Sequence, residues 1–237
     1  MRIHSIETFG TNEGPGIRLL VFTQGCNFRC LYCHNPDTFE ISGGKEMSVD
    51  EILRLVKNQK EYFGGNGGIT VSGGEPTLQV DEMIKLFKKA KKIGINTALD
   101  SNGSIDNDKV KKLYDLTDLL ILDVKHIDND QHIKLTGCSN KNTLEMAEYR
   151  EKTNKPMWLR YVLVPGINDS DEYLNKFGEY FKDYKNIEKV EILPYHTLGT
   201  YKYKELGIKY KLEGTLPPSK ELILKAESIF KKYFPFY

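Results

Sequence analysis

Short apolar runs alternate along the chain with longer segments in which apolar residues recur at helical spacing. The short runs are about four to eight residues long and end in glycine, proline or polar residues, which is typical of buried strands. Six runs are predicted as strands: IRLLVFTQG, GITVSGG, INTALDSNG, DLLILDVK, MWLRYVLVPG and KVEILPYH.

The segments between these runs are predicted to be helices. In residues 48–63, Ile52 and Val56 lie near one helical face, and Ser48 with Glu51 forms the pattern of a capping box. Residues 126–137 are expected to form a loop. The remaining predicted helices are DEMIKLFKKAKKIG, DKVKKLYDL, NTLEMAEYREKT, DEYLNKFGEYFKDY and PSKELILKAESIFKKYF.

Strands that are apolar at successive positions and alternate with helices indicate an α/β fold with a parallel sheet. Polar or glycine-rich residues follow the end of nearly every predicted strand. An open sheet gathers its site at one switch point, whereas a barrel uses many strand ends. The sequence therefore predicts one domain, residues 1–237, with a partial (β/α)6 TIM-like barrel that is open on one side.

Composition narrows the class of partner and the compartment. Lysine plus arginine number 34 against 33 for aspartate plus glutamate, so no strong field indicates nucleic acid. No stretch approaches the roughly 20 apolar residues of a membrane span, and the N-terminal residues do not resemble a signal peptide. We expect a cytoplasmic protein. Three of its four cysteines lie within eight residues, which in a reducing compartment favours metal binding over disulfides.

Cys26, Cys30 and Cys33 follow the first predicted strand at the spacing C-x3-C-x2-C. Thiolates bind zinc or iron-sulfur clusters. One alternative is a closed zinc site with His34 as fourth ligand, in a binding module without catalysis, but adjacent Cys33 and His34 would have to turn to the same ion. A four-iron cluster with three cysteines leaves one iron open to another ligand, unlike clusters that only carry electrons.

Other strand ends could hold a ligand at that open iron. The glycines of VSGGEP allow close backbone approach, and Glu75 after them is predicted to receive an ammonium group. Asp123 and Lys125 lie on one face of a strand, either as a local ion pair or with Lys125 available to a ligand carboxylate. His196 could donate a hydrogen bond. Together these groups fit a chelating α-amino acid.

The stretch CNFRCLYC followed by GGEP resembles the radical S-adenosylmethionine (SAM) superfamily. Three further stretches resemble the pyruvate formate-lyase-activating enzymes of that superfamily: GTNEGPGIRLLVFTQGC, LDSNG with LDVKHID, and WLRYVLVPGINDSDE with KVEILPYHTLG. The resemblance covers nearly the whole chain. The absence of a cysteine-rich insert after Cys33 favours this family over other activases. Glu13 stands where the family often has aspartate, and Cys138 matches no cluster ligand.

The resemblance implies a role for each matching position. Cys26, Cys30 and Cys33 would bind a [4Fe-4S] cluster, and Asp100 with Ser101 would hold a monovalent cation, Na+ or K+. Arg160 would approach the substrate loop. The residues implied to contact SAM are Tyr32, His34, Gly73, Gly74, Glu75, Asp123, Val124, Lys125 and His196.

The resemblance also implies the activity. The enzyme would cleave SAM reductively to a 5'-deoxyadenosyl radical, which abstracts hydrogen from a glycine of pyruvate formate-lyase in anaerobic metabolism. Flavodoxin or ferredoxin would donate the electron. The lysines at 88–92 are either one docking face for this donor or an ordinary solvated helix face. The alternatives are an activase of another glycyl-radical enzyme, such as anaerobic ribonucleotide reductase, or a radical SAM enzyme with a small-molecule substrate. No nucleic acid or membrane is expected as a partner.

Overall fold

The computed structural model describes residues 1–235, and the two residues that follow lie outside this part. The chain forms two compact units. The first consists of Met1–Asn27 and Asp37–Leu122, and the second of Phe28–Pro36 and the chain from Asp123 onward. The proposal of a single domain over the whole chain stays a prediction.

Parallel strands form the centre of the first unit. The strands β2, β4, β5 and β6 pair in parallel in that order, and β1 adds to β2 in antiparallel orientation. A two-residue strand, β3, pairs with β1, so the strand order in this unit is β3-β1-β2-β4-β5-β6. The strand bounds are β1 Arg2–Gly10, β2 Arg18–Thr23, β3 Lys45–Glu46, β4 Gly68–Gly73, β5 Asn96–Ser101 and β6 Leu119–Asp123.

Three helices accompany these strands: α1 Val49–Gln59, α2 Val80–Lys92 and α3 Asp108–Leu116. The predicted capping box of α1 is confirmed, because Ser48 accepts from the Glu51 amide while the Glu51 carboxylate accepts from the Ser48 amide. The buried side chains of β2, β4 and the helices form an aliphatic core, as expected for strands covered on both faces.

Arg18 is a fully buried cation in β2 of the first unit. Its Nε donates to Thr70 Oγ1 at 2.5 Å, and Nη2 donates to the Ile69 carbonyl and to Asn96 Oδ1, both at 2.9 Å. Burial lowers its pKa to about 10, although the charge of Asp118 opposes the change. These hydrogen bonds tie β2 to the two strands beyond it and offset part of the desolvation cost.

The second unit contains two parallel strands, β7 and β8, and an aromatic core in which the Phe177 and Phe230 rings stack at 5.0 Å. The Val124 amide, just after β6, donates to the Arg160 carbonyl of β7 at 3.2 Å. The bounds are α4 Asn129–Thr136, α5 Lys141–Lys152, β7 Met157–Leu163, α6 Asp171–Phe181, β8 Ile187–Pro194, α7 Thr200–Glu205 and α8 Lys220–Phe230. None of the described helices has the length and apolar character that crossing a bilayer requires.

The six predicted strands and the α/β class are confirmed. The expected loop at 126–137 is wrong, because residues Asn129–Thr136 form helix α4. Asp128 caps its N-terminus by accepting from the Gln131 amide, and Gly137 ends it with φ of 81°. Strand β1 and helix α7 were not predicted, since β1 is mostly polar and α7 has only six residues.

Candidate functional site

The cysteine loop, residues 24–36, leaves the end of β2, and its first part lies in the first unit. The Gln24 side chain donates to the Asp37 and Glu40 carbonyls at 2.8 and 2.7 Å, and the Gly25 amide donates to the Thr38 carbonyl at 2.9 Å. The segment after the loop therefore holds the backbone just before Cys26.

The second part of the cysteine loop lies on the C-terminal end of α4 within the second unit. The Arg29 amide donates to the Thr136 carbonyl at 2.8 Å, and the Leu31 amide donates to the Leu135 carbonyl at 2.9 Å. Carbonyls in the last turn of a helix lack intrahelical partners, so they are free to accept these amides. Helix α4 thereby fixes the backbone on both sides of Cys30.

None of the three cysteines of the loop forms a disulfide, and all three are half-buried. Burial raises the pKa of Cys30 to about 12; Lys125 opposes this change and Cys33 adds to it. A bound metal ion reverses such a shift, because a coordinating thiol loses its proton. In residues 1–235 no three His, Cys, Asp or Glu side chains are gathered as an ion site. The assignment of a cluster therefore depends on the number and spacing of thiols on one loop.

Tyr32, Asp123 and Lys125 come together in the second unit. Lys125 Nζ lies 2.7 Å from Asp123 Oδ2 and 5.8 Å from the centroid of the Tyr32 ring. Burial alone would lower the pKa of Lys125, but Asp123, together with Tyr32 and Cys30, outweighs burial and raises this pKa well above its usual value. The Tyr32 hydroxyl is buried and has no hydrogen-bond partner among the described residues. A polar ligand group beside this hydroxyl would satisfy it, which fits a bound cofactor.

Arg160 is buried and paired. Its Nε donates to Glu191 Oε2 at 2.9 Å, and the other carboxylate oxygen of Glu191 accepts from Lys189 Nζ at 2.5 Å. Lys189 in turn lies 4.5 Å from the centroid of the Trp158 ring. The predicted contact of Arg160 with a substrate loop stays a prediction.

His34 and His196 are neighbours in the second unit. Their ring centroids lie 4.7 Å apart with an interplanar angle of 80°, and both residues are exposed. Gly199 packs on the backbone of His34, since a Cβ built on Gly199 would lie 2.5 Å from the His34 carbonyl oxygen. The structure thus brings two predicted SAM contacts together.

Gly73 is the last residue of β4 and Gly74 follows it, and neither position has room for a side chain. Gly73 has φ of 115°, and a Cβ built there would lie 2.3 Å from the Thr23 amide nitrogen. A Cβ on Gly74 would lie 2.0 Å from the Gly25 carbonyl oxygen. Backbone therefore meets backbone directly before Cys26, and the predicted approach of these glycines to a ligand stays a prediction.

The predicted contact of the Glu75 carboxylate with an ammonium group stays a prediction, because the carboxylate is occupied by hydrogen bonds within the protein. Its Oε1 accepts from the Thr77 amide at 3.0 Å, the Thr77 hydroxyl at 2.5 Å and the Ser101 hydroxyl at 2.9 Å. Its Oε2 accepts from the Asn102 amide at 2.8 Å. The side chain is fully buried, and burial raises its pKa. With these four donors, the Glu75 carboxylate joins the ends of β4 and β5.

Asp100 and Ser101 end β5 beside that carboxylate. Asp100 Oδ2 accepts from the Ser72 hydroxyl at 2.8 Å. The Ser101 hydroxyl donates to Glu75 and accepts from the Gly103 amide at 3.1 Å. The cation predicted at this pair stays a prediction.

Sequence reasoning missed helix α7 as a support of the cysteine loop. The Tyr203 hydroxyl donates to the Cys33 carbonyl at 3.0 Å, and Lys202 Nζ donates to Asn35 Oδ1 at 2.8 Å. These contacts join residues about 170 positions apart. No local pattern indicates such a pairing.

The profile of the Radical SAM superfamily matches residues 20–177 of the chain. The pyruvate formate-lyase-activating enzyme of Staphylococcus epidermidis is 48% identical over 232 residues, which are 94% of this chain and 92% of that protein. The corresponding enzyme of Streptococcus mutans is 47% identical over 235 residues, which are 96% of this chain and 89% of that protein.

Solved structures agree on the fold. A domain of a pyruvate formate-lyase-activating enzyme from Bacteroides vulgatus superposes with a TM-score of 0.60 at 23% identity. The match covers 70% of this chain and 94% of that one. It confirms the predicted fold class.

Proposed function

Because the chain belongs to the radical SAM superfamily and, within it, to the pyruvate formate-lyase-activating enzymes, we propose that it generates the glycyl radical of pyruvate formate-lyase. The observation that carries this proposal is the 48% identity over 94% of the chain, together with three thiols on one short loop. Similarity of that extent includes both the cysteine loop and the C-terminal segment that contacts it.

The cofactors are a [4Fe-4S] cluster and SAM. Cys26, Cys30 and Cys33 would bind the cluster, leaving one iron to SAM. When bound, these groups supply one-electron cleavage of SAM to a 5'-deoxyadenosyl radical, which abstracts hydrogen from a glycine of the partner. Three thiolates can bind only three of the four irons of such a cluster. The fourth iron would therefore be open to a chelating amino acid.

The protein's own residues bind and orient SAM. Lys125 keeps its positive charge beside Asp123 and can pair with a carboxylate. The unpartnered Tyr32 hydroxyl supplies a hydrogen bond, and the backbone at Gly74 can approach an ammonium group. His196, lying on His34, borders the same loop. None of these roles requires an acid or base in the chemical step.

Four finer assignments complete the proposal. Asp100 and Ser101 would bind Na+ or K+. Flavodoxin or ferredoxin would supply the electron. The enzyme would act in the cytoplasm, where its partner protein and electron donor would be present. Arg160 would leave its ion pair with Glu191 and contact the glycine loop of the partner.

The decisive experiment is a glycyl-radical assay. Anaerobically purified protein is reduced with dithionite and mixed with SAM and pyruvate formate-lyase, and electron paramagnetic resonance detects the product. We expect a glycine-centred signal from the native chain. Cys30→Ala should abolish both the signal and cleavage of SAM, whereas Cys138→Ala, which changes the cysteine outside the motif, should retain both.

The rivals give different results in the same assay. SAM cleavage without a glycyl signal on pyruvate formate-lyase, but with one on anaerobic ribonucleotide reductase, would indicate the other activase. Cleavage with neither protein as substrate would indicate a small-molecule enzyme. Zinc in place of iron in the purified protein would contradict the whole proposal.

A further inference from the structure

Residues 198–211 comprise helix α7 and the short segments on either side of it; they form a largely exposed surface in the second unit, which we call the α7 surface. Its apolar members are unusually accessible: Leu198 is 73% exposed, Tyr201 58%, Leu206 46% and Ile208 41%. Beside them lies a cavity of about 500 Å³, lined partly by Tyr203 and Tyr210. Large apolar side chains clustered on a surface indicate a binding site rather than chance exposure.

Lysines surround this apolar centre. Lys204, Lys209 and Lys211 are exposed, and no ion pair to any of them occurs in the described part of the chain. Lys204 and Lys209 also line the cavity. Only Glu205 and Glu213 carry negative charge between residues 198 and 216. The α7 surface is therefore apolar at its centre and positive at its edge.

The same helix is hydrogen-bonded to the cysteine loop. Tyr203 is buried, and its hydroxyl donates to the carbonyl of Cys33 at 3.0 Å. Its ring contacts the Tyr210 ring, with centroids 4.8 Å apart, and Tyr210 forms part of the cavity wall. The α7 surface is thus separated from a predicted cluster ligand by one side chain and one hydrogen bond.

We propose that the α7 surface is the docking site of the electron-donor protein, a small redox partner that presents acidic residues around its redox group. This inference rests on the proposed function, which requires that an external electron reach the cysteine loop. Charge complementarity identifies the occupant, because a positive edge attracts an acidic partner and raises its association rate.

The step at this surface is a single electron transfer. One electron leaves the reduced flavin or iron-sulfur group of the donor, which is oxidised by one electron. The cluster at the cysteine loop is reduced by one, from the 2+ to the 1+ state. No covalent bond forms or breaks, and no proton has to cross the interface.

The lysines at 88–92 on α2, predicted from the sequence as one docking face, fit this role less well. Lys89 pairs with Asp50 at 2.6 Å, and Lys91 pairs with Asp118. Their charges are therefore partly neutralised within the protein. Lys85, Lys88 and Lys92 of the same helix stay exposed, and they offer a matched control for charge reversal.

The test compares two triple variants that change net charge equally. One is Lys204→Glu, Lys209→Glu and Lys211→Glu on the α7 surface. The control is Lys85→Glu, Lys88→Glu and Lys92→Glu on α2. Anaerobic stopped-flow absorbance measures reduction of the reconstituted cluster by flavodoxin hydroquinone at low and high salt, and separately by dithionite, which needs no docking.

We expect the α7 variant to lose roughly tenfold or more in the second-order rate constant with flavodoxin at low salt, and to lose most of its salt dependence. Its reduction by dithionite, and its glycyl-radical yield with dithionite, should match the native protein. The α2 control should be reduced by flavodoxin at a rate close to native. A normal flavodoxin rate in the α7 variant, or a loss confined to the α2 control, would overturn the proposal.

A loss of glycyl-radical yield with dithionite would instead show that the α7 surface binds pyruvate formate-lyase, which also overturns it. Absence of any glycyl signal in the native protein with dithionite would count against the proposed function. The rates of cluster reduction by flavodoxin would still test the docking site, because they do not depend on the glycyl signal. A second variant, Leu198→Ser with Tyr201→Ser, removes apolar area without changing charge. It should lower the flavodoxin rate at high salt as well as at low salt.

Discussion

At the scale of single residues, buried polar groups decide how the site is built. Glu75 shows this most directly, because its carboxylate accepts four hydrogen bonds from the ends of two strands. Burying a carboxylate away from water costs free energy unless such donors surround it. The Glu75 side chain, which the sequence pattern assigned to a ligand, therefore also holds together the backbone at the ends of β4 and β5.

Replacing Glu75 with Gln should destabilise the fold. The new amide nitrogen would face either the Asn102 amide or the Thr77 and Ser101 donors, so at least one buried donor would lose its acceptor. We expect the free energy of unfolding to fall by about 2 kcal/mol, measured by urea denaturation. Glu61→Gln, at an exposed position, should change it by less than about 0.5 kcal/mol. Equal effects of the two changes would contradict the role assigned to Glu75.

His126 and His132 are fully buried, and burial lowers the pKa of both. His126 Nδ1 accepts from the Asp128 amide at 3.0 Å, and His132 Nδ1 lies 2.7 Å from the Cys138 carbonyl. Below about pH 6.5 the unfolded chain binds protons at these rings that the folded chain excludes. Protonation therefore favours unfolding.

The free energy of unfolding should fall as the pH is lowered from 7.5 to 5.5, by up to about 1 kcal/mol for each of these histidines. His126→Asn with His132→Asn should flatten this dependence, because asparagine keeps a polar atom near the Nδ1 position and does not titrate. Urea denaturation at several pH values measures the slope. An unchanged slope in the double variant would show that other groups cause it.

At the scale of elements, α4 matters because its C-terminal carbonyls accept the amides of Arg29 and Leu31. The helix ends at Gly137, whose φ of 81° lies in the left-handed region, and a Cβ built there would meet no atom within 4 Å. A side chain at this position would therefore be penalised by backbone conformation alone.

Gly137→Ala should lower the free energy of unfolding by about 1 kcal/mol, since L-residues other than glycine and asparagine avoid this conformation. Gly137→Asn is the matched control and should cost less, because asparagine tolerates it. Thermal and urea denaturation compare the two variants. A larger loss for asparagine than for alanine would mean that space, rather than backbone conformation, limits the position.

The elements also show how far the sequence could be interpreted. Six strands were predictable because continuous apolar runs indicate burial on both faces. Helix α4 was not, because its eight residues are held by Asp128 and Gly137 at its ends more than by an apolar stripe. Strand β1 was missed because it is mostly polar.

The candidate site, like the fold, was predictable from the sequence only in part. The cysteine spacing and the close approach of the glycines are local features that the sequence carries. The donors around Glu75 and the bond from Tyr203 to Cys33 join distant positions, and no periodicity records them. Fold topology creates such contacts, so a single sequence does not reveal them.

At the scale of the whole molecule, the chain passes between its two compact units three times, after Asn27, Pro36 and Leu122. Independent domains are normally joined by one linker that few contacts cross. This connectivity supports the prediction of one domain over residues 1–237.

We therefore expect one thermal unfolding transition, with equal calorimetric and van't Hoff enthalpies. Trp158, the single tryptophan of the chain, lies in β7 and reports on the second unit by fluorescence. Trp158→Phe with Phe9→Trp moves the reporter to the first unit. The two fluorescence midpoints should coincide, and midpoints several degrees apart would contradict the single-domain prediction.

The short strand β3 has a further effect on the protein in concentrated solution. It forms one edge of the first unit's sheet with two residues, Lys45 and Glu46, both exposed and of opposite charge. An unpaired strand edge is where a second chain could add by backbone hydrogen bonds, and short, charged edges discourage this. The two charged residues of β3 therefore offer a second chain little backbone to pair with at this end of the sheet.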